Sequence, residues 1–235
     1  MDCTAPCWLL TSPIWSPDGR QIAFNRIDVV DGMVVGTGVG VVDVASGRVE
    51  AILEIASPEL VGVLGWPTDR SRPLVARGRL RSTSVAQLSG AGSWGSDEGM
   101  AIVDLDEPGS TPRPLPRVEM ELTGVAWHPD GDAVVLAGGD WSWSDVAHST
   151  SELYAARDDF TGVTRLTDFA SVGAGALFPS WVPDGSAILF TLWHRATWTP
   201  TIALVAPDGS GLVELGGADP VGGFYPVQRP IPATP

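Results

Sequence analysis

Trp15-Ser16-Pro17-Asp18-Gly19, followed two residues later by Ile22-Ala23-Phe24, is the stretch whose reading decides the fold. The same order returns as Trp127-His128-Pro129-Asp130-Gly131 before Val134-Val135-Leu136, and as Trp181-Val182-Pro183-Asp184-Gly185 before Ile188-Leu189-Phe190. An eroded copy, Trp66-Pro67-Thr68-Asp69-Arg70, precedes Leu74-Val75-Ala76. Each piece has a physical reason. Pro sets φ, Asp bonds the backbone ahead of it, and Gly takes a positive φ, which together make a tight turn. The Trp ends the strand before the turn and lays a large apolar surface on its neighbour. The triplet after the turn reads as a strand buried on both faces.

The four tryptophans stand 51, 61 and 54 residues apart, the period of a repeated supersecondary unit. The second half of each unit recurs too. Residues 39–44, Ser46-Gly47 and residues 49–53 read as strand, turn, strand. So do residues 100–105 with Pro114-Leu115, Leu153-Tyr154 with Arg165-Leu166-Thr167, and residues 202–205 with Pro207-Asp208-Gly209 and residues 212–215. Each unit therefore has four strands, A to D, and no segment holds a helical period over ten or more residues. The units fall at about 13–55, 62–118, 122–170 and 177–216.

These residues resemble the WD40-like (PD40) repeat of TolB and of related propellers, including those attached to prolyl oligopeptidase-type peptidases. The resemblance rests on Trp-x-Pro-Asp-Gly, on the Ile22-Ala23-Phe24 triplet, and on Arg165-Leu166-Thr167-Asp168 at the end of a D strand. It implies an all-β fold, a β-propeller of four-stranded antiparallel blades, with four blades and a half-blade at each terminus. Residues 1–12 are expected to be the D strand of an earlier blade, because Leu10-Thr11 stands where Leu166-Thr167 stands later. Residues 219–235 are expected to open a following blade. Two readings of residues 1–235 stand: one propeller domain with an atypical closing blade, or a partial propeller with further blades on a longer parent chain. Relatives of TolB are commonly periplasmic or extracytoplasmic, so that location is the expectation, although no signal peptide is visible.

Composition narrows the function. Hydrophobic residues make up 44% of the 235 and charged residues 18%, which excludes a disordered chain. The net charge of −14 repels phosphate backbones, so nucleic acid is not an expected partner. No apolar run approaches the roughly 20 residues of a membrane helix. Cys3 and Cys7, the only cysteines, stand either as a small disulfide loop or as two unpaired thiols near a frayed end.

Chemistry has to come from the B–C loops, since the repeated motif is a turn and a packing residue. In a propeller these loops share one edge with the D–A loops, where ligands usually bind. They read as long: residues 25–38, 78–99, 138–151 and 193–200. They carry Trp94, Asp140, Trp141, Trp143, Asp145, His148, Trp193, His194 and Trp198. Aromatic rings beside Asp and His suit a protein, peptide or glycan partner, by stacking and hydrogen bonding. The alternative is that the tryptophans fold back to cover blade edges. His128 belongs to a turn motif, and His148 and His194 match no metal-ligand spacing, so neither metal nor cofactor is expected. Oligogalacturonate lyases, which resemble these repeats, do place propeller histidines around a metal.

The repeated aspartates Asp18, Asp130, Asp184 and Asp208 occupy equivalent turns and read as structural. There is no Gly-x-Ser-x-Gly elbow, and Gly36-Thr37-Gly38-Val39-Gly40 precedes no helix. A non-enzymatic binding or scaffolding module follows. Its rival is a polysaccharide lyase or glycoside hydrolase that uses Asp140, Asp145, His148 and His194.

Overall fold

The computed structural model describes residues 7–79, 101–106, 113–114, 121–140, 148–197 and 199–215. Its strands form four four-stranded antiparallel sheets. The first holds β1 (Cys7–Trp15), β2 (Gln21–Val30), β3 (Met33–Asp43) and β4 (Val49–Ala56), in that order. The second holds β5 (Glu59–Gly65), β6 (Leu74–Arg79), β7 (Ala101–Asp104) and β8 (Arg113–Pro114). The third holds β9 (Glu121–Trp127), β10 (Ala133–Gly139), β11 (Glu152–Arg157) and β12 (Thr164–Arg165). The fourth holds β13 (Ala174–Trp181), β14 (Ile188–His194), β15 (Thr199–Val205) and β16 (Val213–Glu214). One 3-10 turn, Phe169–Val172, precedes β13. The chain divides into two compact units between Leu115 and Pro116, two sheets in each.

The A–B turns take the geometry that their residues dictate. The Gly19 N–H donates to the Ser16 carbonyl, Gly131 to His128, and Gly185 to Val182. Gly19, Gly131 and Gly185 sit at φ of 67°, 84° and 71°, which costs a residue without Cβ nothing. The Asp18 carboxylate accepts from the Ser16 hydroxyl and the Arg20 N–H, and Asp184 accepts from the hydroxyl and N–H of Ser186. Asp208 does the same with Ser210 in the fourth C–D turn. In the eroded copy the Arg70 N–H reaches Pro67 instead, and the Trp66 indole donates to the Arg70 carbonyl.

Within each unit the sheets stack through the triplet strands. Ala23, Val39 and Val41 of the first sheet meet Val61, Val63, Trp66 and Val75 of the second. Val135, Ala137 and Leu153 of the third meet Ala174, Ala176, Ile188, Phe190 and Leu192 of the fourth. The motif residues join the same stack. The Trp181 indole donates to the Ala126 carbonyl at 3.2 Å, and the His128 ring meets the Trp181 ring edge-on at 4.7 Å. Trp127 packs edge-on against Phe160, and Trp15 pairs with Ile22 across the turn. Polar side chains cross the first stack as well. The Val61 and Val63 N–H groups donate to Thr37 Oγ1 and Asn25 Oδ1, both buried, at 2.8 and 2.6 Å.

Four expectations need correction. Residues 7–12 are not the D strand of an earlier blade. They are the first half of β1, and Leu10 pairs with Arg26 in the same ladder in which Trp15 pairs with Ile22. A one-residue bulge at Ser12-Pro13, with Ser12 at φ 52°, interrupts the apolar pattern and hid the continuity. Every A strand has such a bulge before its Trp, and Phe178-Pro179 repeats the Ser12-Pro13 form in β13. Residues 25–38 are not a long loop. β2 and β3 run on as a hairpin to the turn Asp31-Gly32, because Val29, Val30, Val34 and Val35 favour strand and Asp-Gly closes a tight hairpin.

Residues 193–200 are not a long loop either. β14 continues through His194 and β15 resumes at Thr199, so Trp193 and His194 are strand residues. Finally, Cys7 is disulfide-bonded, and the chain's one other cysteine is Cys3, so the unpaired-thiol reading fails. The terminal segment 219–235 lies outside the described residues.

Candidate binding edge

At the edge where B–C and D–A loops emerge, the best-defined structure surrounds a carboxylate that sequence reasoning missed. Glu152, the first residue of β11, is buried. Its Oε2 accepts from the Thr167 hydroxyl at 2.7 Å and the Phe169 N–H at 2.8 Å. Its Oε1 accepts from the Ala170 N–H at 2.8 Å and the Arg165 guanidinium at 3.3 Å. Thr167 Oγ1 in turn accepts from the Leu153 N–H. A buried carboxylate is costly unless its oxygens find donors, and here four donors converge on it. Two of them are N–H groups at the start of the 3-10 turn, which lack partners within the turn.

The consequence is a fixed D–A loop over residues 167–173. Phe169 stacks on Phe190 with ring centroids 5.5 Å apart. Arg195 holds the loop from the B–C side, its guanidinium donating to the Ala170 carbonyl at 2.7 Å and its N–H to the Gly173 carbonyl at 2.9 Å. Gly173 ends the turn at φ 69°. Arg165 pairs with Asp168 on the exposed side. What this loop presents to solvent is Val172, 73% exposed, with Asp168 and Ser171 exposed on the same loop. The sequence signal was present in Arg165-Leu166-Thr167-Asp168, but its partner Glu152 lies one strand away.

The expected site residues distribute as follows. Asp140 and His148 are exposed at the third B–C connection, where the Asp140 carbonyl accepts from the Thr150 N–H at 2.8 Å. Trp193 is buried and packs with Leu177 and Phe178. Strand alternation puts it on the face of β14 opposite to Ile188, Phe190 and Leu192, which pack on the third sheet. His194 faces the outer strand of its own sheet, with Nε2 3.2 Å from Glu214 Oε2, an oxygen that also accepts from the Thr201 hydroxyl. Trp94, Trp141, Trp143, Asp145 and Trp198 lie outside the described residues. Among the described residues, no three of His, Cys, Asp and Glu stand close enough to hold a metal ion. In the first sheet the B–C connection is the β2–β3 hairpin tip, with Met33 and Val35 exposed.

Against known structures, this chain aligns with a TolB from Agrobacterium tumefaciens over 89% of its length and 81% of that protein's, at 15% identity and a TM-score of 0.53. The fold is that of a TolB-type β-propeller. TolB from Acinetobacter baumannii matches over 88% of this chain at 15% identity and TM-score 0.55. A puromycin-hydrolysing peptidase from Mycobacterium tuberculosis matches over 88% at 16% identity and TM-score 0.53. The chain spans 43% of the Acinetobacter TolB and 29% of the peptidase. No family model matches the sequence, and no curated protein does. A TolB-type blade frame is thus common to proteins with and without a peptidase function, so the frame itself assigns no reaction.

Proposed function

We propose that this TolB-type propeller is a non-enzymatic binding module whose partner, a protein or peptide segment, docks on the loop edge. The observation that carries the reading is the Glu152-anchored loop. It holds an apolar side chain, Val172, in solvent on a short loop whose Phe169 and Ala170 N–H groups are tied to Glu152. A pre-ordered apolar contact loses little entropy on binding, which favours a recognition surface. The net charge of −14 favours a basic, apolar segment over an acidic one. A glycan is the second class this edge suits, through the loop tryptophans Trp94, Trp141, Trp143 and Trp198. The disulfide at Cys7 fits an oxidising, extracytoplasmic setting.

The rival reading, a polysaccharide lyase or glycoside hydrolase, needs Asp140, Asp145, His148 and His194 around one pocket. His194 is engaged with Glu214 on the outer strand of its own sheet, which weighs against it. Calorimetric titration of the purified chain with a panel of basic-apolar peptides, acidic peptides and oligogalacturonate tests the proposal. Saturable binding of a basic-apolar peptide, weakened at least tenfold in Val172→Asp with an unchanged melting temperature, is the expected result. Turnover of the oligogalacturonate, or peptide binding indifferent to Val172→Asp, would overturn it.

A further inference from the structure

Five Asp-Gly pairs stand in the sequence: Asp18-Gly19, Asp31-Gly32, Asp130-Gly131, Asp184-Gly185 and Asp208-Gly209. At such a pair the glycine nitrogen, with no Cβ beside it, can attack the carboxyl carbon of the aspartate side chain. The folded structure decides which pair is free to react.

At four of the five, both reacting groups are held. The Gly19, Gly131, Gly185 and Gly209 N–H groups donate to the carbonyls of Ser16, His128, Val182 and Ala206, at 2.9, 2.8, 2.9 and 2.8 Å. The carboxylates are engaged too. Asp18 accepts from Ser16 and Arg20, Asp184 from Ser186 and Asp208 from Ser210. Asp130 Oδ2 lies 3.6 Å from His128 Nδ1. Ring closure at these turns has to break such bonds first.

Asp31-Gly32 is the exception. It is the exposed two-residue tip between β2 and β3, where Val30 pairs with Met33. Asp31 and Gly32 lie at φ of 50° and 73°, the left-handed pair of a tight hairpin turn. The closing bonds belong to Val30 and Met33. Among the described residues, nothing accepts from the Gly32 N–H and nothing donates to the Asp31 carboxylate. A Cβ placed on Gly32 would meet nothing within 4 Å, so the nitrogen is open to approach. Leaving the turn also relieves Asp31, a residue with a Cβ, of its positive φ.

We propose that Asp31-Gly32 is a spontaneous modification site, where the main chain rearranges to an isoaspartyl linkage. The Gly32 nitrogen bonds to Asp31 Cγ, and the carboxyl OH leaves with the amide proton as water. The succinimide so formed takes up one water. Opening at Cγ restores aspartate. Opening at the main-chain carbonyl leaves the chain running through Cβ and Cγ, with a free α-carboxylate and no net change in mass. The isomer adds one main-chain carbon, which a two-residue turn does not accommodate. The pairs Val30 with Met33 and Val29 with Val34 take up the change. The bulge next to them, between Asp28 and Val29, separates them from the ladder whose Ala23, Val39 and Val41 pack on the second sheet. Isomerisation therefore rebuilds the tip, with its exposed Met33 and Val35, and leaves the blade folded.

The test is to age the purified full chain at neutral pH, folded and in urea, and to label isoaspartate with an isoaspartyl methyltransferase and a radioactive methyl donor. Cleavage after arginine puts the five pairs in five separate peptides, with Asp31 in residues 27–48. In the folded chain that peptide should carry at least about tenfold more label than any of the other four, the worth of one or two bonds that must break first. In urea the five should label alike. Asp31→Glu keeps the charge but needs a six-membered ring, which closes far more slowly, so it should clear the label from residues 27–48. Label spread over all five peptides of the folded chain, or label in residues 27–48 that survives Asp31→Glu, would overturn the proposal. So would a folded chain with no label above the fresh sample, or the same preference for residues 27–48 in urea.

Discussion

Replacing Glu152 by Ala should be the most damaging single change at this loop edge. The carboxylate receives four donors, of which the Thr167 hydroxyl and the Phe169 N–H are buried. Removing it strands those two, each at about 1–3 kcal/mol, while the Ala170 N–H and Arg165 gain water and lose less. The expected loss is about 3–4 kcal/mol. For a chain of 235 residues that lowers the melting temperature by roughly 10 °C. Glu152→Gln keeps one acceptor but turns its NH₂ towards other donors, so it should cost about 1–2 kcal/mol.

Urea unfolding followed by tryptophan fluorescence measures both losses. Amide exchange over residues 165–175 reports where they act, and the Phe169 and Ala170 amides should lose protection before the rest of β11 does. A Glu152→Ala loss below about 1 kcal/mol, with those two amides protected as before, would refute the claim that this carboxylate holds the loop.

Other consequences are equally concrete. Gly185→Ala should destabilise by about 2–4 kcal/mol, because φ is +71° and a Cβ would lie 2.3 Å from His128 Nε2. Gly47→Ala, at φ +68° with nothing within 4 Å, should cost only about 1 kcal/mol in the same thermal melts. The Ser16 hydroxyl holds the Asp18 carboxyl below its ordinary value, and the Ser186 and Ser210 hydroxyls and amides do so for Asp184 and Asp208.

A lowered folded value means a contribution fully present above the unfolded value near 3.8 and lost as pH falls through the lower folded one. Urea midpoints should therefore drop on acidification below that value. The triple change Asp18→Asn, Asp184→Asn, Asp208→Asn should flatten part of that fall, and an unchanged acid slope would count against these turns. His194→Ala removes a contact with an exposed Glu214 and should shift stability by less than about 0.5 kcal/mol in urea melts.

The four repeats, their four-strand plan and the A–B turns were legible in the chain, because a turn and its flanking strands depend on residues that are neighbours in sequence. Pro17-Asp18-Gly19 and Pro183-Asp184-Gly185 form their bonds within five residues. The structure of the loop edge was not legible in the sequence. Loops 25–38 and 193–200 resolved into strand because their residues pair across a ladder, a partnership that spacing alone does not display.

Trp193 became a packing residue for the same reason, since alternation along β14 decides which way it points. Ser12-Pro13 looked like a boundary and is a bulge, and only pairing with β2 distinguishes the two. Glu152 is the clearest case. Nothing around Ser151-Glu152-Leu153 marks a charged hub, because its donors come from Arg165, Thr167, Phe169 and Ala170, and their convergence exists only once β11, β12 and the 3-10 turn are folded. The exposed face of β1 is a tertiary fact as well. Leu10 is as apolar as Val61 and Ala176, and only the stacking of sheets decides that two of the three are covered and the other meets water.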